Sequence, residues 1–210
     1  MKEDILEQLV DSYFLRKPAT FTKHNVKFRP DLTGLSTEEK RKYSVHSDID
    51  VIAVQFKETG EKDVSVISCK SWQTGFDVRF FYENLSNLNN HTIKVGTGPI
   101  WKKFRELVDE KWAKGFRDAV FRETGTYDFT YYIAVTKLIN ENRTDDFKEC
   151  SFFLENLKEN ITSKVQIKFL TLKEMIKEIF AEENSTKVES TEIGRFIQLL
   201  KAAGITNLKS

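Results

Sequence analysis

Residues 47–72 constrain the fold of this chain more than any other stretch, because they predict a two-stranded β-hairpin. Residues 48–56 and 64–70 are rich in β-branched and apolar side chains, which favour strands. The polar, glycine-containing segment KETGEKD between them has the composition of a hairpin turn. The hairpin is therefore the element around which we expect the rest of the chain to be organised.

The alternation of side chains between the two faces of a strand places the polar residues of this hairpin. Asp50 shares a face with Ile52 on the first strand, and Ser68 shares a face with Lys70 on the second, so Asp50 can meet both. The opposite face is mostly apolar, which predicts a hairpin inside a sheet that is covered on both sides. Because burying unpaired charge is costly, Asp50 and Lys70 form either a chemical site or a structural ion pair.

The order of these residues carries a resemblance. Asp50 stands in the string SDIDVIAV, a hairpin follows, and then come SCK at 68–70 and SWQ at 71–73. This order resembles the PD-(D/E)xK nuclease superfamily, with its Mrr-type restriction enzymes and Holliday-junction resolvases. The family pattern has an Asp on the first strand and an acidic residue, two positions before a Lys, on the second. This chain departs from the pattern, since Ser68 stands where the family has Asp or Glu.

The resemblance implies a role for each residue of the motif. Asp50 would ligate Mg²⁺ or Mn²⁺, and Lys70 would orient the attacking water or stabilise charge on the phosphate. Ser68 leaves the metal one carboxylate short. Two acids are candidates to supply it, namely Glu7 on a predicted first helix and Glu83 on the helix after the hairpin. The alternative for Glu7 is an ordinary solvated helix position.

Contacts to nucleic acid are expected near the end of the motif and on a later helix. Gln73 follows the second strand directly, where it would contact the nucleic-acid backbone. Lys102 and Lys103 lie on the charged side of a helix predicted over residues 99–122. An ordinary solvated face is the alternative for these lysines, because the formal net charge of the chain is only +1.

The pattern of the remaining segments predicts an α/β fold, with a central mixed sheet flanked by helices, as in restriction endonucleases. The predicted helices cover residues 2–17, 75–88, 99–122, 147–161, 171–183 and 191–203, and further strands cover 21–29, 127–139 and 165–170. The alternation of strand and helix in the second half indicates parallel crossovers. We expect one restriction-endonuclease-like domain over 1–183, with a C-terminal helix in 184–210 packed on the same domain.

Composition limits the setting in which the chain acts. The 210 residues, 40% hydrophobic and 31% charged, are typical of a globular protein with one substantial core. Cys69 and Cys150 lie far apart without a second metal-binding residue nearby, which argues against a zinc site or a disulfide framework. The N-terminal MKEDILEQ has acids where a signal peptide is basic. A cytoplasmic protein without a membrane segment is expected.

Two functions of different classes follow. The first is a metal-dependent nuclease that hydrolyses phosphodiester bonds, with DNA as the expected substrate and RNA left open. The resemblance adds a homodimer as an expectation, since nucleases of this fold often pair to cut two strands. The second is a catalytically inactive protein of the same fold that binds nucleic acid or a protein partner.

Overall fold

The computed structural model describes residues 4–42, 45–181 and 192–204. The helices are α1 (Ile5–Leu15), α2 (Thr37–Lys42), α3 (Val78–Leu85), α4 (Arg105–Val108), α5 (Glu110–Thr124), α6 (Thr144–Lys148), α7 (Ser151–Leu157), α8 (Leu172–Ala181) and α9 (Glu192–Ala202). The strands are β1 (Thr20–Phe28), β2 (Ser47–Phe56), β3 (Lys62–Lys70), β4 (Phe76–Asp77), β5 (Lys94–Val95), β6 (Gly98–Pro99), β7 (Phe129–Val135), β8 (Leu138–Ile139) and β9 (Val165–Thr171).

A five-stranded mixed sheet in the order β1-β2-β3-β7-β9 organises the fold. β1, β2 and β3 pair antiparallel, whereas β3, β7 and β9 pair parallel. Parallel neighbours require crossovers, and helices supply them: α3 to α5 lie between β3 and β7, and α6 and α7 lie between β7 and β9. The predicted α/β class, with helices around a mixed sheet, is confirmed.

Each face of the sheet covers its own hydrophobic core, as the apolar character of both hairpin faces predicted. The larger core lies between the sheet and the helices α3 to α7, with Trp112, Phe116 and Phe147 almost completely buried. The smaller core lies on the opposite face, where Leu9 and Phe14 of α1 pack with residues of α8. We call these the α5-side core and the α1-side core. α9 contacts α1.

The alternation of side chains is broken at one point in β1 and β2, which strict periodicity did not predict. His24 faces α1, where its ring lies 2.9 Å from Asp11, but Phe28 packs in the α5-side core. Asn25 between them has φ = 52°, a left-handed conformation that Asn adopts more readily than most residues. On β2, Ile49 and Ile52 both pack in the α5-side core, although residues three positions apart on a regular strand face opposite sides. The alternation of β2 is therefore broken at Asp50.

The helix predicted over 99–122 is wrong as a single element. The structure has a short 3-10 helix, then α4 and α5, each separated by one non-helical residue. Phe104 has φ = −145° and ψ = 56°, and Asp109 has φ = −131° and ψ = 117°. The Asp109 carboxylate accepts hydrogen bonds from the Lys111 and Trp112 amides and so begins α5. The break reorients α4, and Glu106, predicted on the solvated side, is buried.

Other boundaries shift by smaller amounts. The predicted strand 127–139 ends at Val135 before a separate two-residue strand. The helix predicted over 147–161 is interrupted at Glu149 and Cys150, so that α6 ends at Lys148 and α7 covers Ser151–Leu157. A capping box begins α8, since Thr171 and Glu174 exchange hydrogen bonds. The flexible joint predicted at 182–190 lies outside the described residues. Among the helices described, none has the length and apolar character needed to cross a membrane.

Candidate active site

Asp50 lies where the hairpin opens. The paired residues of β2 and β3 run from Phe56 opposite Lys62 to Val51 opposite Ile67, and they stop immediately before Asp50. There the Cys69 backbone N–H donates to Asp50 Oδ2 at 2.6 Å. The side-chain carboxylate thus accepts a hydrogen bond beyond the last backbone pair of the two strands. A carboxylate held in this way has a fixed position, because the amide that orients it belongs to a central strand.

A chain of polar side chains continues from this opening into the α5-side core. Lys70 Nζ donates to Ser68 Oγ at 2.7 Å and lies 5.0 Å from the centre of the Phe104 ring. The Tyr131 hydroxyl, on neighbouring β7, donates to Glu106 Oε1. Ser68, Glu106 and Tyr131 are buried, with 8%, 7% and 0% of their surfaces exposed. We call Asp50, Ser68, Lys70, Glu106 and Tyr131 the polar cluster.

Burial dominates the electrostatics of Glu106. It raises the pKa of the Glu106 carboxyl, and the negative charge of Asp50 acts in the same direction. The Lys70 ammonium and the hydrogen bond from Tyr131 oppose this rise. Burial and the neighbouring Glu106 carboxylate raise the pKa of the Tyr131 phenol well above its usual value, which keeps this hydroxyl a proton donor. The net effect is a carboxyl group whose pKa is raised above its ordinary value.

Asp50 has a similar balance. Burial raises the pKa of its carboxyl group, whereas Lys70 and the hydrogen bond from the Cys69 amide lower it. The charges of Asp48 and Asp4 add to the rise. A cation at this point would relieve the repulsion among these acids, since opposite charge favours the ionised form of a carboxyl group.

The acids of α1 approach the same end of the hairpin from the other face of the sheet. Glu7 is half-buried in the first turn of α1, and its charge contributes, after burial and Asp50, to the raised pKa of the Cys69 thiol. Asp4, the N-cap residue of α1, accepts a hydrogen bond from Ser71 Oγ at 2.6 Å. The charge of Asp4 also acts on Asp50. The metal-ligand role of Glu7 stays a prediction.

The remaining predicted residues lie apart from the polar cluster or on the surface around it. Glu83 lies on α3, 43% exposed, and pairs with Arg79 of the same helix at 3.0 Å. Gln73 is exposed after the end of β3, next to Trp72, whose ring stacks on Phe81 at 5.0 Å. The predicted nucleic-acid contacts Lys102 and Lys103 lie on the 3-10 helix before α4, the first exposed and the second partly buried.

Glu106 and Tyr131 are the members of the polar cluster that sequence reasoning missed. Glu106 follows Arg105 in a run of charged residues, and a continuous helix would carry it on the solvated side. Tyr131 is one of several aromatic residues in a strand and carries no distinguishing pattern. The available signal was weak: Phe104 and Leu107 flank Glu106, so an acid stands among residues with a strong tendency to be buried.

The polar cluster offers carboxylate ligands of the kind that a divalent metal binds. Mg²⁺ in phosphate-processing sites is commonly held by one or two carboxylates, with waters and substrate phosphates completing the shell. Asp50 and Glu106 provide two carboxylates that interact electrostatically with each other. A closed site of three or more His, Cys, Asp or Glu side chains is not found in the described part of the chain. The donor set therefore fits an open, partly hydrated metal and not an all-protein cage.

A large cavity lies away from the polar cluster. It measures about 900 Å³ and is lined by Lys17, Asp63, Tyr132 and other residues at the turn end of the hairpin. None of its lining residues belongs to the polar cluster. The charges of Asp50 and Glu106 act on each other within the polar cluster. We therefore take the polar cluster, with its connected acids and cation, as the candidate site.

No protein-family model matches this chain, and the searches of curated proteins and of solved structures return no match either.

Proposed function

We propose that this protein is a metal-dependent nuclease of the PD-(D/E)xK type, acting on DNA. The observation that carries the proposal is the position of Asp50 at the opening of the hairpin, beside Lys70 and within electrostatic reach of the buried Glu106. Withdrawing two acids and a cation from water costs stability, and such costly arrangements cluster at functional sites. A phosphoryl-transfer site needs just such groups.

Each residue has a task in this proposal. Asp50 and Glu106 hold Mg²⁺ or Mn²⁺, with Glu106 in the role of the carboxylate that Ser68 does not provide. A metal held there would supply Lewis-acid chemistry, namely polarisation of the scissile phosphate and a lower pKa for a bound water. Lys70, oriented by its hydrogen bond to Ser68 Oγ, neutralises charge that develops on the phosphate oxygens. Tyr131 fixes the Glu106 carboxyl by donating to it.

The second candidate is an inactive protein of the same architecture that binds nucleic acid or a protein. The specific observation in its favour is that Glu106 is satisfied without a metal, because burial favours its neutral form and Tyr131 donates to it. A homodimer and a cytoplasmic location stay predictions. Cys69 and Cys150 are free thiols, as expected in a reducing compartment.

Incubation with nucleic acid separates the two candidates. Plasmid and single-stranded DNA are incubated with the protein in Mg²⁺, in Mn²⁺ and in EDTA, with a matched single-stranded RNA as a further substrate. We expect metal-dependent cleavage that EDTA abolishes and that Asp50→Ala reduces by roughly 10²-fold or more, as for other groups that stabilise a transition state. Equal cleavage by the wild-type protein and Asp50→Ala would contradict the proposal, and binding without cleavage would favour the inactive candidate.

A further inference from the structure

A groove of about 680 Å³ lies beside the polar cluster, on the edge of the sheet formed by β1. Its walls come from the end of β1, the loop after it and one side of α5. Three cationic side chains line it, namely Lys27, Arg29 and Arg122. We call it the β1–α5 groove.

Strand register connects this groove to Asp50. Lys27 stands opposite Asp48, two positions from Asp50 along β2, and Lys27 Nζ lies 2.7 Å from Asp48 Oδ2. The charge of Asp48 acts on Asp50 and also on Arg105, the neighbour of Glu106. Asp48 thus links the groove to the polar cluster, through its ion pair with Lys27 and its charge on Asp50.

The cations of the groove are available to a ligand. Lys27 and Arg122 are 47% and 58% exposed, and exposed ion pairs such as Lys27 with Asp48 are worth at most about 1 kcal/mol. Arg29 is exposed and makes no side-chain hydrogen bond or ion pair with the residues that the structure describes. The acids that line the groove, Asp31 and Asp118, are both engaged by Lys114.

The shape of the groove is fixed by close packing of its two walls. A Cβ atom on Gly115 of α5 would lie 1.7 Å from the Arg29 carbonyl oxygen, so the loop after β1 approaches the helix as closely as glycine permits. Arg122 Nη2 also donates to the Lys27 carbonyl oxygen at 3.3 Å. The three cations are consequently carried by two closely packed walls of the groove.

We infer that the β1–α5 groove binds the phosphodiester backbone of the nucleic acid whose scissile phosphate reaches Asp50. This inference rests on the proposed function and names the surface that positions its substrate. Two guanidinium groups and an ammonium in one groove suit a phosphodiester backbone, since the planar fork of Arg matches a phosphate group. The inference replaces Lys102 and Lys103 as the principal nucleic-acid contacts.

The test measures binding separately from cleavage. A fluorescent DNA duplex and its single strand are titrated in EDTA with the wild-type protein and with three multiple variants. The first carries Lys27→Gln, Arg29→Gln and Arg122→Gln; the second carries Lys102→Gln and Lys103→Gln. The third, a matched control, also removes three positive charges, at exposed positions that do not line the groove. It carries Lys57→Gln, Lys173→Gln and Lys177→Gln.

We expect the groove variant to lose at least tenfold in affinity at low salt, with a salt-dependence slope smaller by roughly 2 to 3, as for three lost phosphate contacts. The control variant and the Lys102/Lys103 variant should bind like the wild-type protein. Arg29→Gln alone should retain the melting temperature and still lose affinity, because Arg29 has no side-chain partner among the described residues. This excludes misfolding as the cause.

Three results would overturn the inference. If the groove variant binds DNA like the wild-type protein while Asp50-dependent cleavage persists, the groove is wrong and the proposed function stands. A poly-glutamate chain that binds as tightly as DNA would make the groove a site for an acidic protein. If the wild-type protein neither binds nor cleaves DNA, the proposed function fails together with the groove.

Discussion

Glu106 has opposite effects on folding and on the proposed chemistry. Burial raises the pKa of its carboxyl, so the native state holds this proton more tightly than the unfolded chain does. The resulting stabilisation is fully present below the ordinary carboxyl pKa and is lost as the pH rises through the raised value. The metal binding that we propose requires the ionised form, which is the form that burial disfavours in the native state.

Glu106→Gln tests this trade-off. Gln keeps an acceptor for the Tyr131 hydroxyl but cannot ionise, so the variant should match the wild-type free energy of unfolding at low pH and exceed it at pH 8. The gain is about 1.4 kcal/mol for each unit by which the native pKa is raised. Urea denaturation at a series of pH values measures it. A variant that is equally destabilised at every pH would show that Glu106 has only a packing role.

Sequence reasoning succeeded at the residue scale where a strand pattern carried the information. Asp50, Ser68 and Lys70 lie at one end of the hairpin, as the two predicted strands place them, and Ser68 and Lys70 share a face as alternation requires. The break in alternation at Asp50 was not predictable, because a single left-handed residue such as Asn25 changes the facing of its neighbours without altering composition. Sequence reasoning also failed for Tyr131, whose partner is distant in sequence.

The junction between α4 and α5 is the element that positions Glu106. Apolar residues at helical spacing predicted the helical character of 99–122, but the spacing holds across both breaks and conceals them. Asp109 is the residue that separates two helices from one continuous helix. Its side chain caps α5, and its own backbone is not helical, so α4 ends before it. A carboxylate within an amphipathic helix is normally interpreted as a solvated residue, so the sequence did not identify Asp109 as a helix cap.

Removing this cap should loosen the site before it unfolds the protein. Asp109→Ala deletes the two hydrogen bonds to the Lys111 and Trp112 amides, and we expect it to lower the free energy of unfolding by about 0.5–2 kcal/mol. Asp118→Ala, an exposed acid on the same helix, is the control and should stay within about 0.5 kcal/mol of the wild-type value. Equal losses in the two variants would mean that the cap does not hold the junction.

At the scale of the whole molecule, the sheet separates two kinds of surface. One end of the hairpin carries the polar cluster, the α1 acids and the β1–α5 groove, and the other end carries the turn and the cavity of about 900 Å³. The formal charge of +1 gave no indication of this division, because basic and acidic residues nearly cancel over the chain. The class of the fold followed from the order of its elements, whereas the place of its charges depended on tertiary packing.

The central claim is that Asp50 and Glu106 jointly hold a divalent metal, and calorimetric titration with Mn²⁺ tests it most directly. We predict one Mn²⁺ per chain for the wild-type protein, with affinity that rises with pH as the two carboxyls lose their protons. Asp50→Asn and Glu106→Gln should each abolish this binding, whereas Asp63→Asn, a change at the opposite end of the hairpin, should leave it intact. No Mn²⁺ binding by the wild-type protein, or equal binding by Glu106→Gln and the wild type, would contradict the account.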